Sequence, residues 1–149
     1  MTIINGRRVL QMAYVVPLLL LMLNPSYADV VVIAHPSNPT ESLTKTEVKR
    51  IYLGKMKRWN SGNAMGAVDQ QVPSSARDEF YEQVVGKSHS QISAYWSQQI
   101  FSGKGMPPPK KADDASVKQW VAEHPDSIGY VSSSSVDSSV KVLLSISIP

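Results

Sequence analysis

The chain has 149 residues with 15 basic and 12 acidic side chains, no cysteine, and 42% hydrophobic residues. That length supports one domain with a modest core. The missing cysteines exclude a disulfide scaffold and remove the usual soft metal ligands.

Residues 1–28 read as a secretory leader. Arg7 and Arg8 form a positive start, and Val9 to Leu23 is apolar apart from Gln11 and Pro17. Asn24-Pro25 breaks the run, and Ser26-Tyr27-Ala28 places small residues at the −3 and −1 positions of a cleavage site. The apolar stretch is short for a membrane span, which favours cleavage over an uncleaved anchor. Gln11 sits where a twin-arginine signal prefers an apolar residue, so ordinary export to a periplasm is expected. Removing the leader takes 2 of the 15 basic residues and none of the 12 acidic ones. The remaining 121 residues carry 13 bases against 12 acids, a formal net charge of +1. A nucleic-acid partner is therefore not expected, and membrane contact is expected only through an uncleaved leader.

Beyond the leader, Val30-Val31-Val32-Ile33-Ala34 is a continuous β-branched run, the mark of a strand buried on both faces. His35-Pro36-Ser37-Asn38-Pro39 must be a loop because its prolines exclude helix and ladder pairing. Thr44 and Glu47 have capping-box spacing; the helix they open buries Val48, Ile51 and Tyr52 and stops at Gly54. A basic, turn-rich connection surrounds Trp59, and a short strand is expected near Met65–Val68. Pro73 to Asp78 opens a second helix, with Ser75 and Asp78 at capping-box spacing, Phe80, Tyr81, Val84 and Val85 on its apolar side, and Gly86 at its end. A third helix runs from about Ser90 to Phe101, and Pro107-Pro108-Pro109 then holds the chain extended. Ser116 to Glu123 is a short helix, followed by strands at Ile128–Val131 and Val140–Leu144. Strands alternating with helices argue for an α/β domain with a partly parallel sheet.

Chemistry for catalysis is hard to assemble from these residues. There is no Gly-x-Ser-x-Gly elbow, and His35, His89 and His124 are far apart without ligand spacing, so neither an enzyme, a metal site nor a cofactor is expected. Asp113-Asp114 is best explained as helix capping. The tryptophans Trp59, Trp96 and Trp120 fit core or half-buried cover. One place has a sharper story. Ser74 and Ser75 stand at a helix start, where unpaired amides and the dipole attract an anion, and the Arg77 guanidinium offers two parallel donors. Simple capping by the serines and an ion pair for Arg77 explain the same residues.

Three stretches resemble the phosphate-binding proteins of ABC import systems, of the type II periplasmic-binding-protein class. The first is Asn38-Pro39, Ser42-Leu43-Thr44, Ile51-Tyr52-Leu53-Gly54-Lys55 and Arg58-Trp59, similar to the family's Leu-Ser-x-x-x-Leu-x-x-Ile-Phe-x-Gly-Lys-x-x-x-Trp. The second is Ser74, Arg77, Asp78 and Phe80 against Ser-Gly-Thr-Arg-Glu-x-Phe, with Ser75 in place of the glycine and Ala76 in place of the threonine. The third is Ser127-Ile128-Gly129-Tyr130-Val131, similar to Gly-x-Ile-Gly-Tyr. The resemblance implies one lobe of that fold over residues 29–149, with a mixed, mostly parallel sheet flanked by helices. It implies weak binding of phosphate or a similar oxyanion by Ser74, Ser75 and Arg77, with Ser37 and Asn38 as further ligands, and an ABC permease or a second copy of the lobe as partner. A lobe that has lost its ligand and serves as an envelope accessory module is the alternative; its surfaces would be the Pro107–Lys111 segment and the Trp59 loop.

Overall fold

The computed structural model describes residues 29–147; the expected leader lies outside them. The chain runs β1 (Val30–Ala34), α1 (Lys45–Tyr52), β2 (Gly66–Ala67), β3 (Asp69–Gln70), α2 (Ser75–Phe80), α3 (His89–Phe101), β4 (Lys110–Lys111), α4 (Asp114–Glu123), β5 (Ser127–Ser132) and β6 (Lys141–Ile146). A π-helical turn at Tyr81–Val85 continues α2.

The main sheet has the order β2-β5-β1-β6, and β3 with β4 forms a second, two-stranded sheet. All five residues of β1 are buried because helices cover both sheet faces. The period of two sorts them: Val30, Val32 and Ala34 join the core under α1, α2 and α3, while Val31 and Ile33 join Val117 and Val121 of α4. The α/β class and the mixed, helix-flanked sheet agree with the sequence reading. The strand directions differ. β1 is antiparallel to both β5 and β6, and only β2 with β5 and β3 with β4 are parallel. A run of buried β-branched residues reports coverage on two faces, not the direction of the neighbouring strand.

Helix ends follow local chemistry closely. Thr44 and Glu47 form the expected capping box. Ser88 and Gln91 form a second one that starts α3 at His89. Asp113 caps α4 through the Ser116 amide at 2.8 Å. Gly54, at φ +71°, ends α1 where a side chain would meet the Trp96 ring at 3.2 Å. At α2 the cap is Ser74 rather than Ser75, and the third helical residue is Arg77, so no capping box forms with Asp78.

Candidate functional site

The start of α2 sits beside the ends of β3 and β5. A cavity of about 260 Å³ opens there, lined by Gln70, Pro73, Ser74, Ser75, Ala76, Ala112, Asp113, Asp114 and Ser132. Ser75 is exposed and the Ser74 hydroxyl is half-buried.

Ser74 is held from two sides. Its oxygen accepts from the Arg77 amide at 3.1 Å, and its hydroxyl donates to Gln70 Oε1 at 2.7 Å. Gln70 in turn donates through Nε2 to Asp114 Oδ1 at 2.7 Å and to the Tyr130 carbonyl at 3.0 Å. Asp114 Oδ2 accepts from the Ser132 amide and from Ser135 Oγ, each at 3.0 Å. Asp114 is thus enclosed by donors. Asp113 is exposed, and its hydrogen bonds from the Ser116 amide and side chain hold its carboxyl below the usual carboxylate range. The cavity therefore combines a helix start with one saturated and one solvent-facing carboxylate. No cation is among its lining residues.

Arg77 does not reach this cavity. On the inner side of α2 it is 3% exposed, with Nε 3.4 Å from Asp69 Oδ1, its guanidinium carbon 4.5 Å from the Tyr81 ring centre, and Nη1 3.2 Å from His89 Nδ1. It lines a separate cavity of about 580 Å³ with Lys87, Ser88 and His89. The expectation that Arg77 faces outward beside the serines is corrected: an internal carboxylate claims its charge first. Ser37 and Asn38 are also elsewhere. Ser132 pairs with Val30 at one end of β1, whereas the 35–38 loop leaves Ala34 at the other end, about 13 Å away at strand rise. Ser37 Oγ meets His35 Nδ1 at 2.7 Å, and Asn38 Oδ1 accepts from the Thr40 amide at 2.9 Å, so both organise their own turn.

Asp69 is the buried group that the sequence reading passed over. Its Oδ1 accepts from the Tyr130 hydroxyl and from the Gln70 amide at 2.8 Å, and its Oδ2 accepts from the Tyr81 hydroxyl at 2.8 Å. Burial first, and then the Asp69 charge, push both phenols far above the usual tyrosine range. Phe80 stacks on Tyr130 at 4.0 Å and Tyr52 meets Phe80 edge-on at 4.6 Å, which closes water out around the acid. The signal for Asp69 was its place directly after the apolar Met65–Val68 stretch, where an acid must find internal donors. Of the tryptophans, Trp59 is 4% exposed and donates Nε1 to the Asp126 carbonyl at 3.0 Å, so it belongs to the core rather than to a contact surface. Among the described residues no group of His, Asp or Glu is arranged to hold a metal ion, and no helix is long and apolar enough to cross a membrane.

No protein-family model matches the chain, and no curated protein does. Solved structures do. An ABC-type phosphate transport receptor from Vibrio cholerae superposes with a TM-score of 0.65 at 21% identity, over 78% of this chain and 45% of that one. A putative phosphate ABC transporter substrate-binding protein with bound phosphate from Clostridium perfringens matches at 0.63 and 26% identity, over 79% and 45%. PstS from Borrelia burgdorferi matches at 0.60 and 14% identity, over 79% and 47%. The chain therefore has the fold of part of a phosphate-type substrate-binding protein and spans less than half the length of these three structures.

Proposed function

We propose that this chain is an exported solute-binding lobe of the phosphate-transport type, delivered to a periplasm by residues 1–28 and taking a protonated oxyanion at the start of α2. The observation that carries this reading is the cavity at Ser74–Ala76 in a fold shared with phosphate receptors. The Ser75 and Ala76 amides at the start of α2 and the Ser75 hydroxyl supply donors. Asp113 supplies an acceptor, which suits an anion that still carries a proton. Hydrogen phosphate has such a proton; sulfate at neutral pH has none. Without a cation at the cavity wall, and with one face open to water, the affinity is low. A permease, or a second lobe that closes the open side, is the partner such a site calls for.

Calorimetric titration of the purified protein with phosphate and with sulfate tests the reading. Saturable heat with phosphate, absent with sulfate and abolished in Ser75→Asp, is the expected result. An acid at that exposed first-turn position favours the helix while repelling the anion, so folding is kept. No saturable heat with phosphate in the wild-type protein overturns it.

A second reading is favoured by the buried Arg77–Asp69 pair: the lobe is an accessory module without an anion ligand. Stable capture of an envelope protein, together with a null phosphate titration, selects it.

A further inference from the structure

A separate groove lies on the outer edge of β2, sharing no lining residue with the cavity at Ser74. It holds about 310 Å³, and its walls include Met56, Met65, Met106, Trp96, Trp120 and Pro107-Pro108-Pro109. That volume is at the small end of ligand pockets, and the lining is apolar and, through its methionines, adaptable.

Backbone geometry leaves one donor of β2 facing it. The amides of Gly66 and Val68 turn inward to the Asp126 and Ile128 carbonyls, at 3.0 and 2.9 Å. The alternate amides turn outward. Met65 donates to the Lys57 carbonyl and Asp69 to the Pro109 carbonyl, each at 2.9 Å. Ala67 lies between them, so by strand alternation its N–H points into the gap. The three prolines have no N–H with which to continue the β3–β4 pairing along β2.

The two loop segments beside the groove carry charge of one sign. The segments that wall it, 54–68 and 102–111, carry Lys55, Lys57, Arg58, Lys104, Lys110 and Lys111 and not one acid. Lys57 lines the groove itself, and Lys111 Nζ sits 3.5 Å from the centre of the Trp120 ring. Two cations, Lys57 and Lys111, are thus placed at an apolar cleft.

We propose that this groove binds a small apolar carboxylate, with its hydrocarbon against the methionines and tryptophans and its carboxylate at Lys57 and the Ala67 amide. An aliphatic chain fits the apolar walls. A single acidic head suits a gap that offers the Ala67 amide and the Lys57 ammonium. An extended peptide suits it less, because both outward amides flanking Ala67 are already bonded.

The test titrates the purified protein with octanoate, acetate and octylammonium, read by calorimetry and by tryptophan fluorescence, since Trp96 and Trp120 line the groove. Octanoate is expected to saturate one site, acetate and octylammonium not to bind, and added salt to weaken octanoate. Two variants at exposed positions, Lys57→Glu and Met106→Glu, are each expected to weaken octanoate about fivefold while leaving the unfolding midpoint in place. Phosphate at saturating concentration is expected not to compete, which keeps the outcome separate from the fate of the oxyanion reading. The proposal is overturned if octanoate gives no saturable signal, if octylammonium binds as well as octanoate, if neither variant changes the affinity, or if only anionic phospholipid vesicles or an alternating Leu-Glu peptide bind.

Discussion

Arg77 Nε stands 3.4 Å from Asp69 Oδ1, with both side chains only 4% exposed. The distance makes an ion pair, although the N–H is not aligned for a hydrogen bond. The arrangement joins the start of α2 to β3 from beneath. It also removes the guanidinium from the cavity above.

Unequal losses are expected when the pair is broken. Asp69→Ala strands a buried guanidinium and two buried phenols, and is expected to cost about 3–5 kcal/mol. Arg77→Met leaves Asp69 with the Tyr81 and Tyr130 hydroxyls and the Gln70 amide, and is expected to cost less than Asp69→Ala. Urea unfolding of the two variants measures the difference, and the reverse order would refute the account. Arg77→Met is also expected to leave phosphate affinity nearly unchanged, because the guanidinium lies outside the cavity.

Alkaline pH should unfold the protein. The phenols of Tyr81 and Tyr130 are raised far above their ordinary range in the folded state. Above about pH 10 the unfolded chain releases phenolic protons that the folded chain keeps, so stability falls as pH rises. Below that pH the contribution is fully present. Denaturant midpoints measured through the alkaline range are expected to drop more steeply for wild type than for the double variant Tyr81→Phe, Tyr130→Phe. Each single variant is expected to cost about 1–3 kcal/mol near neutrality through the lost donor to Asp69.

Gly129 of β5 lies directly against Val117 of α4. A Cβ there would lie 2.5 Å from Val117 Cγ1 and 3.2 Å from Val68 Cγ2. Gly129→Ala is expected to destabilise by about 1–3 kcal/mol. Combining it with Val117→Ala should recover part of the loss relative to the sum of the single changes. Strict additivity in thermal melts would count against the close contact.

Neighbouring serines at the start of α2 should behave differently. Ser74→Ala removes the cap and the donor to Gln70, with an expected loss of about 1 kcal/mol or somewhat more. Ser75→Ala touches neither and should be close to neutral in stability. Equal unfolding midpoints for the two variants would contradict the assignment of the cap.

Local sequence determined what local interactions determine. Val30–Ala34 had to be a strand covered on both faces, Thr44 and Glu47 had to start a helix, Gly54 and Gly86 had to stop one, and Ile128–Val131 had to be a strand. Each follows from side-chain shape or from backbone groups within a few residues. Strand direction around β1 did not follow, because burial on two faces is compatible with either direction. Spacing to Asp78 pointed to Ser75 as the cap of α2, but Ser74 takes that place, held also by its contact to Gln70 four residues earlier. The site residues divided along the same line. Ser74 and Ser75 reach the cavity because they are part of the helix start itself. Ser37 and Asn38 are set apart by the whole length of β1. Arg77 turned inward because Asp69 is buried among aromatic rings and needs a positive partner, and a helix drawn from sequence alone has no inside to turn towards.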